Sequence, residues 1–463
     1  HLPTFLASMH QITNRREAKY YDARLSQVGV KFRQVIEGLR IREEQNIIPP
    51  RFVLEKVIAE IDGFTGSPIE ENILYTSAAG KISRISGISE GEKQSLIGAI
   101  RTAIDQQVYP AYHLLREYVS TLQAKATGED GVWKLPRGAD YYDFLLRHYT
   151  TTELGAEEIH SIGLSEVARI RGEMSAVLER LGIVGEDPLV SLNNLSEEER
   201  FRYPDTADGR SQVLKDYKAM IDRIEGSIDH LFDMRPKAGV IVERIPEFKE
   251  KTAPGAYYNP PAMDGSRPGV FSANLYQMPV KLHMETLAFH EATPGHHFQL
   301  AIQQQLKGLP IFRRLLPFTA YAEGWALYAE KVIYENGLFR DDYSALGYLA
   351  SELFRAVRLV VDTGLHHKRW TREEAIEYMS ANTGNARNNT IAEIERYIVM
   401  PGQATAYKVG ELAIVRMRGK AKLELGDAFD MREFHNVLLS SGSVPLTILE
   451  GIVDEYIARR RRI

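Results

Sequence analysis

The chain has 463 residues, of which 44% are hydrophobic and 26% are charged. These proportions are ordinary for a folded globular protein, so they exclude a disordered chain, a collagen-like chain and a coiled-coil rod. Lys and Arg number 57 against 62 Asp and Glu, which leaves a net charge of −5. This balance gives no electrostatic reason to expect nucleic acid as a partner.

The chain contains no cysteine, which excludes disulfide scaffolds, thiolate zinc sites, iron–sulfur clusters and a cysteine nucleophile. Any metal must therefore be held by His, Asp or Glu. No apolar run approaches 18 residues, so the sequence predicts no transmembrane segment. The chain opens with His1 rather than Met, which indicates that residues were lost upstream. This start is compatible with a cleaved signal or a lipoprotein leader. Periplasmic, lipid-anchored and cytoplasmic locations all stay open.

Apolar residues recur at helical spacing along most of the chain, which predicts a mainly α fold. In chain order, the predicted helices cover residues 15–42, 90–124, 156–181, 212–232, 284–306, 319–335, 344–368, 372–381 and 392–400. Thr371 is the expected N-cap of the helix that begins at residue 372, because Glu373 and Glu374 follow it. Residues 188–208 and 259–268 are predicted loops by their turn chemistry.

Three short β-like runs, near Val240, Ala256 and Val270, lie between residues 237 and 280 and are separated by Pro, Gly and Asn. They predict a small sheet. We place a domain boundary near Arg235, between a helical N-terminal lobe of residues 1–235 and a catalytic lobe of residues 236–463.

The strongest motif is LAFHEATPGHHFQL at residues 287–300, which places three histidines in one apolar-flanked helical segment. Hydrolysis by a zinc enzyme requires two neutral imidazoles and a third protein ligand on the ion. It also requires a carboxylate that deprotonates the water at the open coordination position. His290 and Glu291 fit these roles. On an unbroken helix, His297 would lie about 10 Å beyond His290 along the axis. These two histidines could then not bind the same ion.

In the common zincin helix the second histidine follows the first by four residues, and this chain has Pro294 there. We therefore predict that the helix breaks at Thr293-Pro294-Gly295, since proline and glycine are the residues that permit a break.

A third ligand is expected from YAEGWALYAE at residues 321–330, where Glu323 and Glu330 share one face of an apolar and aromatic helix. A buried carboxylate needs a partner. Gly308, Pro310 and Pro317 let the chain reverse before this helix. Glu323 is the predicted ligand, and Glu330 is the predicted hydrogen-bond partner of a ligating histidine or an alternative ligand.

A purely structural role is the main alternative for any single histidine. Three histidines within residues 290–297, out of 13 in the chain, favour a metal site instead. For His366 and His367, a polar helix end and an active-site donor are equally good interpretations. The Glu-x-x-His at Glu157 to His160 resembles half of a di-iron site, but that chemistry requires a second pair, which the sequence lacks.

The strings HEATPGHHFQ, YAEGWALYAE, RLVVDTGLHHKRW, ERYIVMPGQATAYKVGEL and FHNVLLSSGSVPLTILE resemble the bacterial family called domain of unknown function 885. The similarity runs from about Tyr141 to the C-terminus. More distantly, the family resembles helical zinc peptidases of the angiotensin-converting enzyme, thimet oligopeptidase and thermostable carboxypeptidase type. The resemblance implies a large two-lobed helical zincin-like fold around a deep groove, with a small β-sheet beside the active-site helix.

In those peptidases Gly-His closes the metal motif, and Gly295-His296 closes it in this chain. The resemblance therefore implies His296, rather than His297, as the second ligand. We expect a zinc-dependent peptidase that hydrolyses short peptides, with one zinc ion per chain on His290, His296 and Glu323 and with Glu291 as general base.

Further residues are expected around the peptide substrate. An edge strand near residues 270–275 is predicted to pair with the substrate backbone. The predicted substrate-binding residues are Tyr257, Tyr258, Ser272, Asn274 and Tyr397. The candidate donors to the oxyanion are Tyr407, Arg396, Tyr397 and His366, which lie in polar strings without apolar periodicity.

Two alternatives belong to other functional classes. Two histidines and a carboxylate also form the site of non-haem iron oxygenases, although those sites usually lie on β-barrels. The other alternative is a metal-free peptide-binding protein in which Pro294 marks a degenerate site. The choice between exopeptidase and endopeptidase depends on where Arg355, Arg358 and Arg387 lie.

Overall fold

The computed structural model describes residues 2–250 and 253–462, which form two compact units. The first unit extends to Asp130 and includes Lys134–Pro136, and the second contains Gly131–Trp133 and the chain from Arg137 onward. The predicted boundary near Arg235 lies inside the second unit, and the two-lobe division stays a prediction.

The first unit is entirely helical within the described residues. Its helices are α1 (Leu2–Ser8), α2 (Arg15–Ser26), α3 (Val28–Glu44), α4 (Arg51–Thr65), α5 (Ile73–Ile82), α6 (Glu90–Ala103) and α7 (Tyr109–Lys125). The helix predicted over residues 15–42 is two helices, because the chain turns at Gln27. One π-helical turn joins α6 to α7. Tyr21, Leu74 and Ile104 are fully buried in the core of this unit.

The second unit contains the remaining helices and all three strands. Its helices are α8 (Gly138–Thr150), α9 (Ala156–Arg180), α10 (Pro188–Glu197), α11 (Ala207–Glu225), α12 (Glu247–Glu250), α13 (Met284–Glu291), α14 (His296–Gln305), α15 (Ile311–Leu315), α16 (Thr319–Glu335), α17 (Asp342–His366), α18 (Arg372–Thr383), α19 (Arg387–Val399), α20 (Ala406–Leu425), α21 (Met431–Ser440) and α22 (Leu446–Arg460). The mainly α prediction is confirmed. Thr371 caps α18 as predicted, in a reciprocal capping box with Glu374.

One loop prediction is wrong. Residues 188–208 contain α10, because Asp187 caps its first turn by accepting a hydrogen bond from the Leu189 backbone amide and Pro188 occupies the first helical position. Helix α11 is shorter at its C-terminus than predicted. The periodicity predicts a helix that ends at residue 232, whereas α11 ends at Glu225 because Gly226 follows it as the C-cap.

The predicted small sheet is confirmed, with strands β1 (Val240–Arg244), β2 (Ala256–Asn259) and β3 (Gly269–Ala273) in the order β1-β3-β2. Strand β3 is parallel to β1 and antiparallel to β2. The prediction that residues 270–275 form an edge strand for substrate is therefore wrong. Both hydrogen-bonding edges of β3 are already paired, and all five of its residues are buried.

Close packing of α16 against α20 holds the centre of the second unit together. A Cβ atom on Gly410 would lie 2.1 Å from the Ala320 carbonyl oxygen, and one on Gly324 would lie 2.5 Å from the Gly410 carbonyl carbon. The two backbones approach this closely because neither residue has a side chain. No helix in the described part of the chain combines the length and the apolar composition that a membrane span requires.

We expect Gly410→Ala to lower the free energy of unfolding by about 1–3 kcal/mol, because the new methyl group forces α16 and α20 apart. Gly419→Ala is the matched control on the same helix, since its Cβ meets nothing within 4 Å. We expect that change to be neutral or to stabilise by about 0.5–1 kcal/mol. Urea denaturation of the three proteins measures both values, and equal stability of Gly410→Ala and wild type would contradict the packing argument.

Candidate metal centre

The helix that carries the histidine motif breaks where the sequence predicts. Helix α13 ends at Glu291 and α14 begins at His296. A Cβ atom on Gly295 would lie 2.0 Å from the His290 carbonyl oxygen, so only glycine fits this turn. Trp325 of α16 donates its indole N–H to the Pro294 carbonyl oxygen at 2.9 Å, which ties the break to the next helix.

The break brings together His290, His296 and Glu323. One ligand atom from each lies within 4.8 Å of the others. The Oε2 atom of Glu323 is 3.3 Å from Nε2 of His296 and 3.6 Å from Nε2 of His290. The two imidazole rings are nearly perpendicular, with centroids 4.7 Å apart. The three predicted ligands therefore converge on one point from α13, α14 and α16.

A buried acceptor faces this point without a donor. Oε2 of Glu323 is inaccessible to solvent and accepts no hydrogen bond from any described residue. Burial raises the pKa of Glu323, but the neighbouring imidazoles of His296 and His290 outweigh burial, so the pKa lies well below its usual range. The carboxylate is thus ionised although its Oε2 atom is buried, a state that is costly unless a cation or donor compensates for it.

The orientation of His290 depends on Glu330, which is fully buried on the same face of α16 as Glu323. Nδ1 of His290 lies 2.6 Å from Oε1 of Glu330, and Thr286 donates its hydroxyl to Oε2 at 2.6 Å. Burial lowers the pKa of His290, but the Glu323 and Glu330 carboxylates raise it to about 9. A carboxylate on Nδ1 leaves Nε2 facing the other two ligand atoms, the usual arrangement for a metal-ligating histidine.

Glu291 follows His290 and is mostly buried, with 8% of its surface exposed. Within the described residues its carboxylate makes no ion pair or hydrogen bond. Three carboxylates, those of Glu291, Glu323 and Glu330, therefore surround the two histidines, and this excess of negative charge favours binding of a cation.

His297 turns away from the cluster towards the sheet. Its Nδ1 lies 2.8 Å from the hydroxyl of Tyr258 on β2, and the Tyr258 ring packs edge-on against it. Burial lowers the pKa of His297 to about 4. The side chain is therefore neutral at pH 7 and already in contact with the hydroxyl of Tyr258.

Two of the predicted oxyanion donors make structural hydrogen bonds. His366 accepts a hydrogen bond from the Val132 backbone amide at Nδ1, and its Nε2 lies 3.1 Å from the Tyr397 carbonyl oxygen. The Tyr397 hydroxyl donates to Glu393 and accepts from Arg358, and the residue is fully buried. Neither side chain has a proton left to offer a reacting group.

The other two candidates, Tyr407 and Arg396, are only partly buried. Arg396 donates to Gln403 and Glu393. Burial and the negative charge of Glu323 raise the pKa of Tyr407, so its phenol stays protonated. Tyr407 is thus a hydroxyl donor in the electrostatic range of the cluster.

The remaining predicted substrate residues lie on or beside the sheet. Ser272 is buried in β3, and Tyr257 is half-buried in β2. The Asn274 side-chain amide donates to the carbonyl oxygens of Glu250, Ala253 and Pro254, so it holds the preceding loop. Among the described residues, no hydrogen bond or ring contact joins these three to the histidine cluster, and their role in substrate binding stays a prediction.

Sequence inspection missed several residues that position the site. Thr286 precedes His290 by one helical turn, and this i, i+4 spacing is a signal that could have identified it. Trp325 and Glu393 act through contacts between distant segments. No local pattern indicates such contacts.

The donor set matches the three protein ligands of a catalytic zinc site, namely two imidazole nitrogens and one carboxylate oxygen. The orphaned, ionised oxygen of Glu323 is the feature that fits such an ion best. The fold and this cluster define a mainly helical protein with a His-His-Glu centre at a break between two helices.

The chain belongs to the bacterial family of unknown function DUF885, whose model matches residues 1–453. The predicted family is thereby confirmed. A candidate lipoprotein from Colwellia psychrerythraea of known crystal structure is 40% identical, with a TM-score of 0.95 over 99% of this chain and 79% of that one. A candidate lipoprotein of unknown function from Shewanella oneidensis shares the fold at 18% identity, with a TM-score of 0.74 over 97% of this chain and 80% of that one. No curated protein matches the chain.

The buried position of His366 predicts a measurable dependence of stability on pH. Burial lowers the folded-state pKa of His366 from 6.5 to about 4. As the pH falls, the unfolded chain therefore binds a proton first, and stability decreases from about pH 6.5 towards pH 4. We expect this group alone to cost about 2 kcal/mol between pH 7 and pH 5.

His366→Gln should remove that part of the pH dependence, as measured by urea denaturation at the two pH values. His367→Gln is the matched control, because the neighbouring side chain is exposed. A wild-type-like pH dependence in His366→Gln would show that this imidazole is not held neutral.

Proposed function

We propose that the protein is a zinc-dependent peptidase that hydrolyses short peptides, with the ion held by His290, His296 and Glu323. The convergence of these three ligand atoms within 4.8 Å is the observation that supports the proposal most directly. When bound, the ion supplies a Lewis acid that activates water and polarises a carbonyl oxygen. Peptide bonds are the substrate implied by the resemblance to helical zinc peptidases.

Glu291 is the proposed general base. Its carboxylate directly follows the ligand His290 and is held by no ion pair or hydrogen bond within the described residues, so it is available to accept a proton from the attacking water. The same carboxylate then returns the proton to the leaving amine. Burial of the side chain restricts competing contacts with bulk solvent.

Tyr407 is the proposed donor to the developing oxyanion. The hydroxyl is kept protonated by burial and by the charge of Glu323, and the ring stacks on the guanidinium of Arg358, 4.6 Å from the ring centroid. A fixed hydroxyl donor of this kind stabilises negative charge as it forms. His366 and Tyr397 are not assigned this role, because backbone and carboxylate groups already use their protons.

The metal assignment makes one prediction about the two adjacent histidines. We expect His296→Ala to lose the metal, because a ligand nitrogen is removed, and His297→Gln to retain about one zinc ion per chain. Metal analysis of protein reconstituted with zinc and then desalted measures both. Retention by His296→Ala together with loss from His297→Gln would reverse the assignment. Absence of any transition metal from wild type would favour the metal-free peptide-binding alternative.

The assignment of Glu291 is tested separately. Glu291→Gln should keep the metal but lower kcat on a short fluorogenic peptide by about 10²–10⁴-fold, the usual contribution of a general base. Glu377→Gln, an exposed change on α18, is the control and should leave kcat unchanged. If Glu291→Gln turned over at the wild-type rate with its metal in place, another group would have to be the base.

A further inference from the structure

A cavity of about 700 Å³ lies within the second unit, on the part of α13 that carries Thr286 and Leu287. Helices α10, α13 and α17 and residues 383–386 form its walls. On α13 the lining residues are Thr286 and Leu287, one helical turn before His290 and Glu291. The volume lies in the range of sites that bind small ligands.

Arg355 lines this cavity from α17 and has no carboxylate partner within ion-pairing distance among the described residues. Its Nη1 donates to Ser351, whereas its Nε is inaccessible to solvent and has no hydrogen-bond partner. The other arginine of the lining, Arg202, is paired with Glu197 at 2.5 Å. Arg355 is therefore the lining guanidinium whose charge is not balanced.

The positive charge continues along the same helix. Arg358 lies one turn beyond Arg355. The guanidinium of Arg358 is 4.4 Å from the Phe354 ring centroid, and that of Arg355 is 5.6 Å from it. Arg358 and Arg396 share one carboxylate, that of Glu393. Nη1 of Arg358 is also buried without a partner. Three guanidinium groups and one carboxylate leave a local excess of two positive charges.

We propose that this cavity binds a carboxylate of the peptide substrate, with Arg355 as the residue that receives it. The inference rests on the proposed peptidase function and names its substrate class. A guanidinium binds a carboxylate through charge-assisted hydrogen bonds, and the Arg355 guanidinium lines the cavity without a carboxylate partner among the described residues. Arg358 and Arg396 strengthen the attraction through their field.

Two parts of a peptide carry such a group, the C-terminal carboxylate and the side chain of Asp or Glu. The amide side chains of Asn193 and Asn385, which also line the cavity, suit hydrogen bonding to the adjoining peptide groups. Binding at the C-terminus would make the protein a carboxypeptidase, whereas binding of an acidic side chain would give selectivity for acidic residues.

The test is calorimetric titration of three peptides into Glu291→Gln protein, in which hydrolysis is suppressed. The peptides are Gly-Ala-Phe with a free C-terminus, its C-terminal amide, and the amide of Gly-Asp-Phe. We expect the free acid to bind about 10–100-fold more tightly than its amide, which is the usual size of a charged hydrogen bond. Adding Arg355→Gln should reduce the difference to less than about twofold, and Arg355→Lys should restore part of it.

Arg180→Gln is the matched control, because Arg180 is exposed and paired with Asp342 away from the cavity. It should leave the preference unchanged. Tight, Arg355-dependent binding of the Asp-containing amide would identify the side-chain carboxylate as the ligand. Equal binding of all three peptides, or a preference that survives in Arg355→Gln, would overturn the proposal.

Hydrolysis by wild-type protein separates this inference from the proposed function. Cleavage of the free acid and its amide at equal rates would support the peptidase function and refute the role of Arg355. Arg355-dependent binding with no cleavage of any peptide would refute the peptidase function and support the carboxylate site.

Discussion

The close approach of Gly295 to the His290 carbonyl oxygen is the constraint on which the candidate centre depends. An unbroken helix would separate the second histidine pair from His290 by more than one turn. Because a side chain at residue 295 would collide with the backbone at 2.0 Å, glycine permits the chain to fold back and restart as α14. The indole of Trp325 then holds the Pro294 carbonyl oxygen, so the break is positioned by the helix that also carries Glu323.

Helix α16 presents two carboxylates to the histidines, and the surroundings of the two differ. Glu330 accepts hydrogen bonds from His290 and Thr286, so its charge is satisfied by protein donors. Glu323 has no such donor at Oε2 and instead faces the two imidazoles. Since a buried carboxylate oxygen without a hydrogen-bond donor is costly, the difference between the two residues favours Glu323 as the candidate ligand and Glu330 as the support of His290.

Charge on α17 complements this arrangement. The histidine cluster is surrounded by carboxylates, whereas Arg355 puts positive charge on the cavity wall and Arg358 lies one turn beyond it on the same helix. Under the two proposals, a cation and an anionic group of the substrate bind at separate places in the second unit. Tyr407 contacts Arg358 and feels the charge of Glu323, so it lies between the two regions.

Local patterns were sufficient for the helices with continuous periodicity and for the three ligand candidates. The prediction failed where one residue changes the outcome, as at Gln27 and at Asp187, whose cap converts a predicted loop into α10. Strand order was also beyond local pattern. A buried run such as Val270-Phe271 fits a central strand or an edge strand equally well, until pairing with β1 and β2 makes it central.

The sequence by itself determined the mainly helical class, the small sheet, the family and the helix break, and it singled out the histidines and the carboxylate of the candidate centre. Each of these depends on neighbouring residues or on the absence of cysteine. Tertiary structure alone decided that His297 contacts Tyr258 and that His366 bonds to backbone. It alone also placed Arg355 where no carboxylate of the described residues lies within ion-pairing distance. The physical reason is that the hydrogen-bond partner of a buried polar group comes from a segment far along the chain. The spacing of residues in the sequence does not indicate which distant segments come into contact.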